Sequence, residues 1–353
     1  MRAALTPAEA TPLIGGVAAG RVVLLFGLPR SGTTWLAKVF DSHPDVLYRH
    51  EPDTVWRGRH LPVWPPAMPS AAALAEARVY LDQLLTTRTL KTMGSRPIFP
   101  KAYRGAVAER VRAALIQAVR LAERLGGQRF ARPSLARPSL TRHVTIPDWV
   151  AAGAWGRITV VLKSVSSPTR LGLFAQALPG CRVIYILRHP CGQVASMRRG
   201  ERLGLFEDAL DLDWLLAGPE AKAHGLDPAD FARWPLLERL AWQWVLLNER
   251  ALADLAHHPA TRIVRHADLA RAPLAKAGEL LAFAGLSVPP ATAAFIRRST
   301  EHVGATGYYR VFRDAAAEID KWRSELSAEE QARIWAVARR SHLAALWPEM
   351  AEV

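Results

Sequence analysis

The sequence predicts an α/β fold in which helices cover both faces of a parallel sheet. Three observations lead to this prediction. Short aliphatic runs recur along the chain, helical patterns fall between them, and the first run is followed by a glycine-containing loop of the kind that opens a helix. Because strands and helices alternate, we expect right-handed crossovers and a doubly wound sheet.

The predicted strands are apolar throughout instead of alternating with polar residues, which is typical of strands buried on both faces. They are RVVLLF (21–26), RITVVL (157–162), CRVIYIL (181–187) and TRIVR (261–265), with DVLY (45–48) as a weaker fifth candidate. The helical patterns between them cover 34–40, 168–178, 192–199 and 236–256.

A long insertion, residues 53–156, interrupts this alternation and is rich in Ala, Arg, Pro and Trp. It contains a short duplication, ARPSLARPSL (131–140). Long insertions in compact α/β domains tend to be functional. Two interpretations stay open here: a mobile connector punctuated by proline, or a mostly helical lid over an acceptor cleft. We expect residues 1–353 to form a single domain that includes this insertion.

Composition and charge restrict the partners. The chain of 353 residues is half apolar and carries a formal net charge of +14, so an anionic partner is favoured. Nucleic acid is disfavoured because the sequence has no block of like charges and no basic tail. The two cysteines, Cys181 and Cys191, match neither a disulfide framework nor a metal-ligand spacing, and they indicate free thiols in a reducing compartment.

Neither a membrane span nor a secretion signal is predicted. The longest apolar run near the start, VVLLFGL (22–28), is too short to cross a membrane. Glu9 and two prolines interrupt any apolar stretch of the type found in signal peptides. A cytoplasmic location is therefore expected.

The stretch GLPRSGTTW (27–35) approaches the phosphate-binding pattern G-x-x-x-x-G-K-[ST] but lacks its lysine. Thr33 stands at the lysine position, and Arg30 lies within the loop. Glycines permit the tight turn, and the loop amides and the helix N-terminus favour an anion. We therefore predict a phosphate site here that differs from a nucleoside triphosphate site.

A second anion site is predicted where the run 181–187 ends. A triphosphatase often places a Mg²⁺-binding aspartate at such a strand end, whereas this chain has Arg188. Pro190 favours the start of a helix, and Ser196 lies on that helix. A guanidinium and a hydroxyl together suit a phosphate group.

These motifs resemble those of the sulfotransferase family that uses 3′-phosphoadenosine 5′-phosphosulfate (PAPS). The resemblance lies in LPRSGTTWL, DSHPDVLYRHEP and LRHPCGQVASM with its Arg-x7-Ser spacing. In its Glu-Pro segment the chain is more similar to the Golgi-type, tyrosyl-protein and bacterial members than to the cytosolic branch. The resemblance implies a P-loop-containing, nucleoside-kinase-like fold with a central five-stranded parallel sheet. It also implies sulfuryl transfer from PAPS to a hydroxyl, with 3′,5′-adenosine bisphosphate as product and no metal required.

The same resemblance assigns the donor contacts. The 5′-phosphosulfate would lie on the loop, and the 3′-phosphate would be bound by Arg188 and Ser196. A weaker match in TGYYRVFRD (306–314) would add Arg310 and Arg313 to the 3′-phosphate contacts. The loop residues assigned to the donor are Pro29, Arg30, Ser31, Gly32, Thr33, Thr34 and Trp35.

For catalysis, cations and amides must stabilise the transferred group and the leaving phosphate. Arg30 is placed for this, and Lys163, which ends the run 157–162, is a candidate for stabilising the bridging oxygen. The base that accepts the alcohol proton is sought in YRHEP (48–52). The ordinary pKa of histidine favours His50, whereas resemblance to the Golgi-type and tyrosyl-protein members favours Glu51, which we predict.

Two other functions remain open from sequence alone. A small-molecule kinase with a divergent P-loop would bind ATP with Mg²⁺, and a non-catalytic nucleotide-binding module would keep its ligand after Glu51→Ala. The acceptor is open as well: a small molecule, lipid, glycan or peptide tyrosine could supply the hydroxyl, and the net charge leans towards an anionic one. Trp56, Trp64 and Trp149 lie in the insertion and are candidates for lining its pocket.

Overall fold

The computed structural model describes residues 13–14, 16–128, 144–205, 212–300, 311, 314 and 316–347. A two-residue antiparallel pair, β1 (Leu13–Ile14) and β2 (Val17–Ala18), precedes the main sheet. The main sheet has five parallel strands in the order β4–β5–β3–β6–β7. Their bounds are β3 Val22–Gly27, β4 Val46–His50, β5 Thr159–Ser164, β6 Arg182–Leu187 and β7 Thr261–Arg265.

Helices connect these strands. Those flanking the sheet or extending from it are α1 Thr33–Ser42, α5 Leu171–Ala177, α6 Pro190–Arg202, α7 Pro219–Ala223, α8 Pro228–Arg233, α9 Leu236–Leu255, α10 His266–Arg271, α11 Pro273–Phe283, α12 Pro290–Thr300, α13 Ala317–Asp320, α14 Trp322–Glu325 and α15 Ala328–Ala338. Short 3-10 turns occupy Ala19–Arg21, Pro52–Thr54, Ala152–Ala154, Pro168–Arg170, Asp213–Ala217 and His342–Leu346. All five predicted strands and the predicted α/β class are confirmed.

Each face of the sheet has its own apolar core. On one face, Leu24 and Phe26 of β3 pack with Phe174 of α5 and Trp244 of α9. On the other face, Leu25 packs among residues of α1, α11 and α12. Strand β3 is buried at every position, as its uninterrupted apolar run predicts.

Strand β7 departs from the prediction of burial on both faces. Its residues are exposed or half-buried, and Ile263 is 47% exposed. Among the described residues, β7 is one of the two outer strands of the sheet. The other outer strand, β4, stays buried because α1 and the insertion cover it, and β7 lacks comparable cover. The guanidinium of Arg262 lies over the ring of Phe283, and Arg265 pairs with Asp268.

The described part of the insertion is helical, as predicted, with α2 Ala71–Thr86, α3 Leu90–Met93 and α4 Ala106–Gln128. It has a small apolar core of its own, formed by Leu90, Met93, Ile116, Val119 and Ile146. The duplication at 131–140 lies outside the described residues. Within the described part of the chain, no helix is long and apolar enough to cross a membrane.

Candidate functional site

The predicted phosphate loop lies between the centre of the sheet and α1. β3 ends at Gly27, and α1 begins at Thr33 after Gly32, whose φ is +99°. A Cβ on Gly27 would lie 2.6 Å from Ser31 Oγ and 2.7 Å from the carbonyl oxygen of Ile186. Only glycine therefore fits at this turn, as the motif predicts. Arg30 within the loop also has positive φ, +71°, which is rare for a side-chain-bearing residue.

Ser31 is the loop residue whose surroundings most favour an anionic ligand. It is fully buried, and its hydroxyl has no hydrogen-bond partner within the described structure. The side chain lies against Gly27, at the end of the central strand. A buried hydroxyl without a partner costs free energy unless a ligand satisfies it. The hydroxyl and the N-terminus of α1 suit a phosphate or sulfate oxygen.

The other loop residues have different surroundings. Pro29 and Arg30 are half-buried, Thr33 is buried and Thr34 is exposed. The indole Nε1 of Trp35 donates a hydrogen bond of 2.9 Å to Ser299 Oγ on α12, so Trp35 anchors the start of α1.

The second predicted anion site is in direct contact with the loop. Arg30 Nε donates to Ser196 Oγ at 3.1 Å, and Arg188 Nη1 donates to the Arg30 carbonyl oxygen at 2.8 Å. Trp244 Nε1 donates to the carbonyl oxygen of Arg188 at 2.9 Å, which fixes the backbone where β6 ends. Arg188 and Ser196 are both buried. The structure thus brings Arg30, Arg188 and Ser196 together.

Sequence reasoning missed Arg199. Its Nη2 lies 3.5 Å from Ser196 Oγ, and its Nη1 forms an ion pair with Glu325. The signal was available, because Arg199 follows Ser196 by three residues and therefore shares its face of α6. Arg310 and Arg313 lie outside the described residues.

Of the three predicted catalytic side chains, Glu51 and Lys163 form an ion pair, and Arg30 lies in the loop described above. They come from neighbouring strands, since Glu51 follows β4 and its backbone N–H donates to the Lys163 carbonyl oxygen at 2.9 Å. Lys163 is paired in register with Leu25 of β3 and therefore lies on the α1 face of the sheet. The backbone of Glu51 has φ +45°, and Lys91 Nζ of α3 lies 3.9 Å from Glu51 Oε2.

The charges around Glu51 determine its protonation. Burial alone would raise the pKa of Glu51, but Lys163, assisted by His50 and Lys91, outweighs this and lowers it to about 2. Burial lowers the pKa of Lys163, while the Glu51 carboxylate opposes that change. Glu51 is therefore a carboxylate at neutral pH.

His50, the alternative base, is neutral. Burial, reinforced by the charge of Lys163, lowers the pKa of His50 to about 3. Its Nδ1 lies 2.7 Å from Tyr48 Oη and is hydrogen-bonded to it. The largest cause of the low pKa is burial, which does not depend on the position of any neighbouring charge.

A buried aspartate that the sequence did not indicate holds the two strand ends together. Asp53 Oδ2 accepts hydrogen bonds from Ser164 Oγ and, at 2.8 Å, from Ser167 Oγ. Burial raises the pKa of Asp53, and the two serine hydroxyls oppose the shift. Asp53 therefore ties the segment that carries Glu51 to the segment that follows Lys163.

The side chain of Arg170 holds the start of the insertion in place by hydrogen bonds to its backbone carbonyl groups. Buried Arg170 donates to the carbonyl oxygens of Arg57, Leu61 and Pro62 at 3.0, 2.9 and 3.0 Å. Trp56, five residues after Glu51, remains 48% exposed, while Trp64 packs on Trp214. Trp149 is 43% exposed with φ +45°. Trp56 and Trp149 thus have indole surface available to a ligand, and Trp64 has less.

The central parallel sheet and the glycine loop at the end of its middle strand define a P-loop-like α/β protein with cations gathered beside that loop. A sequence model described as the sulfotransferase family matches residues 23–209, more than half of the chain. The chain therefore belongs to the sulfotransferase family. The activity of this family is PAPS-dependent sulfuryl transfer to a hydroxyl-bearing acceptor, and the resemblance to the family as a whole is confirmed, while the closer similarity to particular branches stays a prediction.

Solved structures similar to the chain include other sulfotransferases. The sulfotransferase domain from the curacin biosynthetic pathway is 14% identical, with 90% of this chain and 96% of that one covered and a TM-score of 0.43. Sulfotransferase STF9 from Mycobacterium avium is 16% identical, with 91% and 76% covered and a TM-score of 0.40. Mouse sulfotransferase SULT7A1, complexed with PAP, is 12% identical, with 95% and 90% covered and a TM-score of 0.41. No curated protein sequence matches the chain.

Proposed function

We propose that this sulfotransferase holds PAPS between the loop 29–35 and the pair Arg188 and Ser196, and that Glu51 activates the acceptor hydroxyl. The observation that carries the proposal is the contact of Arg30 with both members of the pair. Two anion-binding groups in contact suit a ligand with two anionic groups on one nucleotide. A donor with a 5′-phosphosulfate and a 3′-phosphate has this character.

On the 5′ side, the buried Ser31 hydroxyl, the loop amides and the N-terminus of α1 would bind the phosphosulfate oxygens. On the 3′ side, Arg188 and Ser196 would bind the phosphate, with Arg199 as a further donor one helical turn along. Arg310 and Arg313 remain a weaker proposal for the same phosphate.

When bound, PAPS supplies an activated sulfuryl group. The oxygen that bridges its sulfur and the 5′-phosphate stays on the leaving 3′,5′-adenosine bisphosphate. Lys163 is buried beside the loop strand and is the cation we assign to that oxygen, with Arg30 stabilising charge on the transferred group. Lys163 pairs with Glu51, so its move towards the bridging oxygen would weaken that pair. The pKa of Glu51 would then rise at the stage when a base is needed.

This coupling favours Glu51 over His50 as the base. The low pKa of Glu51 owes its sign to Lys163, whereas that of His50 is caused first by burial. A displacement of Lys163 therefore increases the basicity of Glu51 more directly. The acceptor proton would pass to a Glu51 oxygen while the acceptor oxygen attacks sulfur in line with the bridging oxygen.

The insertion 53–156 is proposed to form the acceptor side of the site. Lys91 of α3 lies next to Glu51, and the exposed indole of Trp56 follows on the segment fixed by Arg170. An exposed cation and an indole suit an acceptor with an apolar body and an anionic group. The candidates are a small molecule, a lipid or a glycan.

We further propose that the reaction needs no metal ion. The positive charges of Arg30, Lys163 and Arg188, which lie around the loop, would neutralise the donor in place of a metal ion. A cytoplasmic location is proposed as well, and the free, buried thiols of Cys181 and Cys191 suit a reducing compartment.

The test is a thermal shift with 3′,5′-adenosine bisphosphate or ATP, each with Mg²⁺ and with EDTA, because a ligand selective for the folded state raises Tm. We expect the bisphosphate to raise Tm equally in Mg²⁺ and in EDTA, after which acceptors are screened with PAPS. A rise with ATP and Mg²⁺ alone would contradict the assignment of Arg188 and Ser196.

A further inference from the structure

A second group of buried cations lies away from the donor loop, between edge strand β4 and the insertion. Its members are the side chains of Lys38, Arg49, Lys101, Arg104 and Arg112, each at most 7% exposed. Arg49, Lys101, Arg104 and Arg112 line a small pocket together with Asp41, Tyr103 and others, and Lys38 lies behind it as a partner of Asp41. We name these five cations and this space the insertion pocket. None of them takes part in the proposed reaction.

Three carboxylates oppose these five cations. Asp41 Oδ2 lies 2.7 Å from Lys38 Nζ, and its Oδ1 lies 3.0 Å from Lys101 Nζ. Asp148 pairs with Arg49 at 2.7 Å, and Glu109 pairs with Arg104 at 3.0 Å. Two positive charges are therefore in excess within this group. Buried charges without compensation are costly, and an excess of this kind suits a bound anion.

Among these cations, Arg112 has a buried guanidinium nitrogen that no hydrogen bond within the described structure satisfies. Its Nη2 donates to the Met93 carbonyl oxygen at 3.2 Å, but its buried Nε has no hydrogen-bond partner among the described residues. Arg112 is 5% exposed and lines the pocket. Burial, followed by repulsion from Arg104, lowers the pKa of Arg112, while Glu109 and Asp148 oppose the shift.

We propose that the insertion pocket binds one small inorganic anion, held by Arg112 together with its neighbouring cations. The small size of the pocket excludes a nucleotide and suits a halide or a tetrahedral oxyanion. Arg112 belongs to α4, Arg49 to β4 and Asp41 to α1, so the anion joins the insertion to the sheet. The site is independent of the donor site and of the proposed function.

The first test compares salts at equal ionic strength: potassium chloride, potassium sulfate and potassium gluconate, whose anion is too large for the pocket. The donor site is saturated with 3′,5′-adenosine bisphosphate, so that sulfate does not act there. We expect chloride or sulfate to raise Tm over gluconate by roughly 2 °C or more. Equal Tm values in all three salts would overturn the proposal.

Two variants test whether the difference in Tm between salts arises at Arg112. Arg112→Gln should abolish the difference between salts, while Arg110→Gln, an exposed arginine on the same helix, should keep it. A difference that persists in Arg112→Gln would contradict the assignment. If Arg112→Gln fails to fold, crystals of the unmodified chain soaked in bromide or in selenate decide. An anomalous peak of either ion beside Arg112 supports the site, and the absence of both overturns it.

Discussion

The carboxylate of Glu51 and the ammonium of Lys163 pair across the carboxyl ends of two neighbouring parallel strands. Lys163 is 1% exposed, whereas the Glu51 side chain is 18% exposed, so the carboxylate is the member that a substrate can reach. The Glu51 carboxylate is therefore an accessible proton acceptor, and the Lys163 ammonium is the buried cation that pairs with it. This arrangement is the basis of the first two predictions.

Glu51→Gln should lower kcat by roughly 100-fold or more, because the amide cannot accept the acceptor proton. Binding of 3′,5′-adenosine bisphosphate should be unchanged, since Glu51 is not assigned to the donor. Steady-state assays with the first acceptor found, together with thermal shift, measure both, and Glu76→Gln on the exposed face of α2 is the control. Loss of activity in His50→Asn but not in Glu51→Gln would identify His50 as the base.

Lys163→Met should reduce kcat by about 100-fold, as expected when a group that stabilises transition-state charge is removed. It should also destabilise the fold, because the buried pair loses one partner. In urea unfolding, Glu51→Gln and Lys163→Met should be non-additive, with a coupling energy of about 1 to 3 kcal/mol. Additive effects on the free energy of unfolding would contradict an ion pair between these residues.

Ser196→Ala should weaken binding of 3′,5′-adenosine bisphosphate by roughly 10-fold, the value of one hydrogen bond to a charged group. Adenosine 5′-phosphosulfate lacks the 3′-phosphate, so its affinity should change little. Calorimetry with both ligands makes the comparison, and Ser324→Ala, at an exposed serine, is the control. An equal loss for the two ligands would place Ser196 at the 5′ group instead.

Acid should remove the contribution of Glu51 to stability. Its folded pKa is lowered from 4.5 to about 2, so the contribution is complete above about pH 4.5 and declines as pH falls towards 2. The difference in Tm between the unmodified chain and Glu51→Gln should therefore be constant near neutrality and narrow below pH 4.5. A difference that stays constant down to pH 3 would show that the folded pKa of Glu51 is not lowered.

Lys91→Gln tests the acceptor side of the insertion. Lys91 is half exposed and 3.9 Å from Glu51, so the change should leave the free energy of unfolding within about 0.5 kcal/mol of the original. We expect a higher KM for anionic acceptors and an unchanged KM for neutral ones, measured in a paired acceptor set. Equal changes for both kinds of acceptor would argue against a charge contact with the acceptor.

The sheet and the donor loop could be predicted because their signals are local. Uninterrupted apolar runs mark the buried strands, and the spacing of Gly27 and Gly32 follows from the turn between β3 and α1. The same rule wrongly predicted burial on both faces for β7, because a five-residue run does not show how far other elements will cover the strand. Of the two outer strands, β4 is covered and buried while β7 is not, and this difference depends on distant parts of the chain.

The contacts that complete the site join distant residues. Arg30 meets Ser196, and Asp53 meets Ser164 and Ser167, only because parallel strands end at one edge of the sheet. Asp53 could have been suspected from its position two residues after Glu51, but its serine partners could not. Arg112 resembles any other arginine of a helix until its burial is known.

The exposed outer strand β7 also has a consequence for how the protein behaves at high concentration. An outer strand with exposed aliphatic surface, such as that of Ile263, is a template for self-association through backbone pairing. Arg262 places positive charge beside Ile263 on this strand, and two copies brought edge to edge would bring like charges together. We therefore expect Arg262 to oppose aggregation, and replacing it with valine should make the outer strand more prone to self-association.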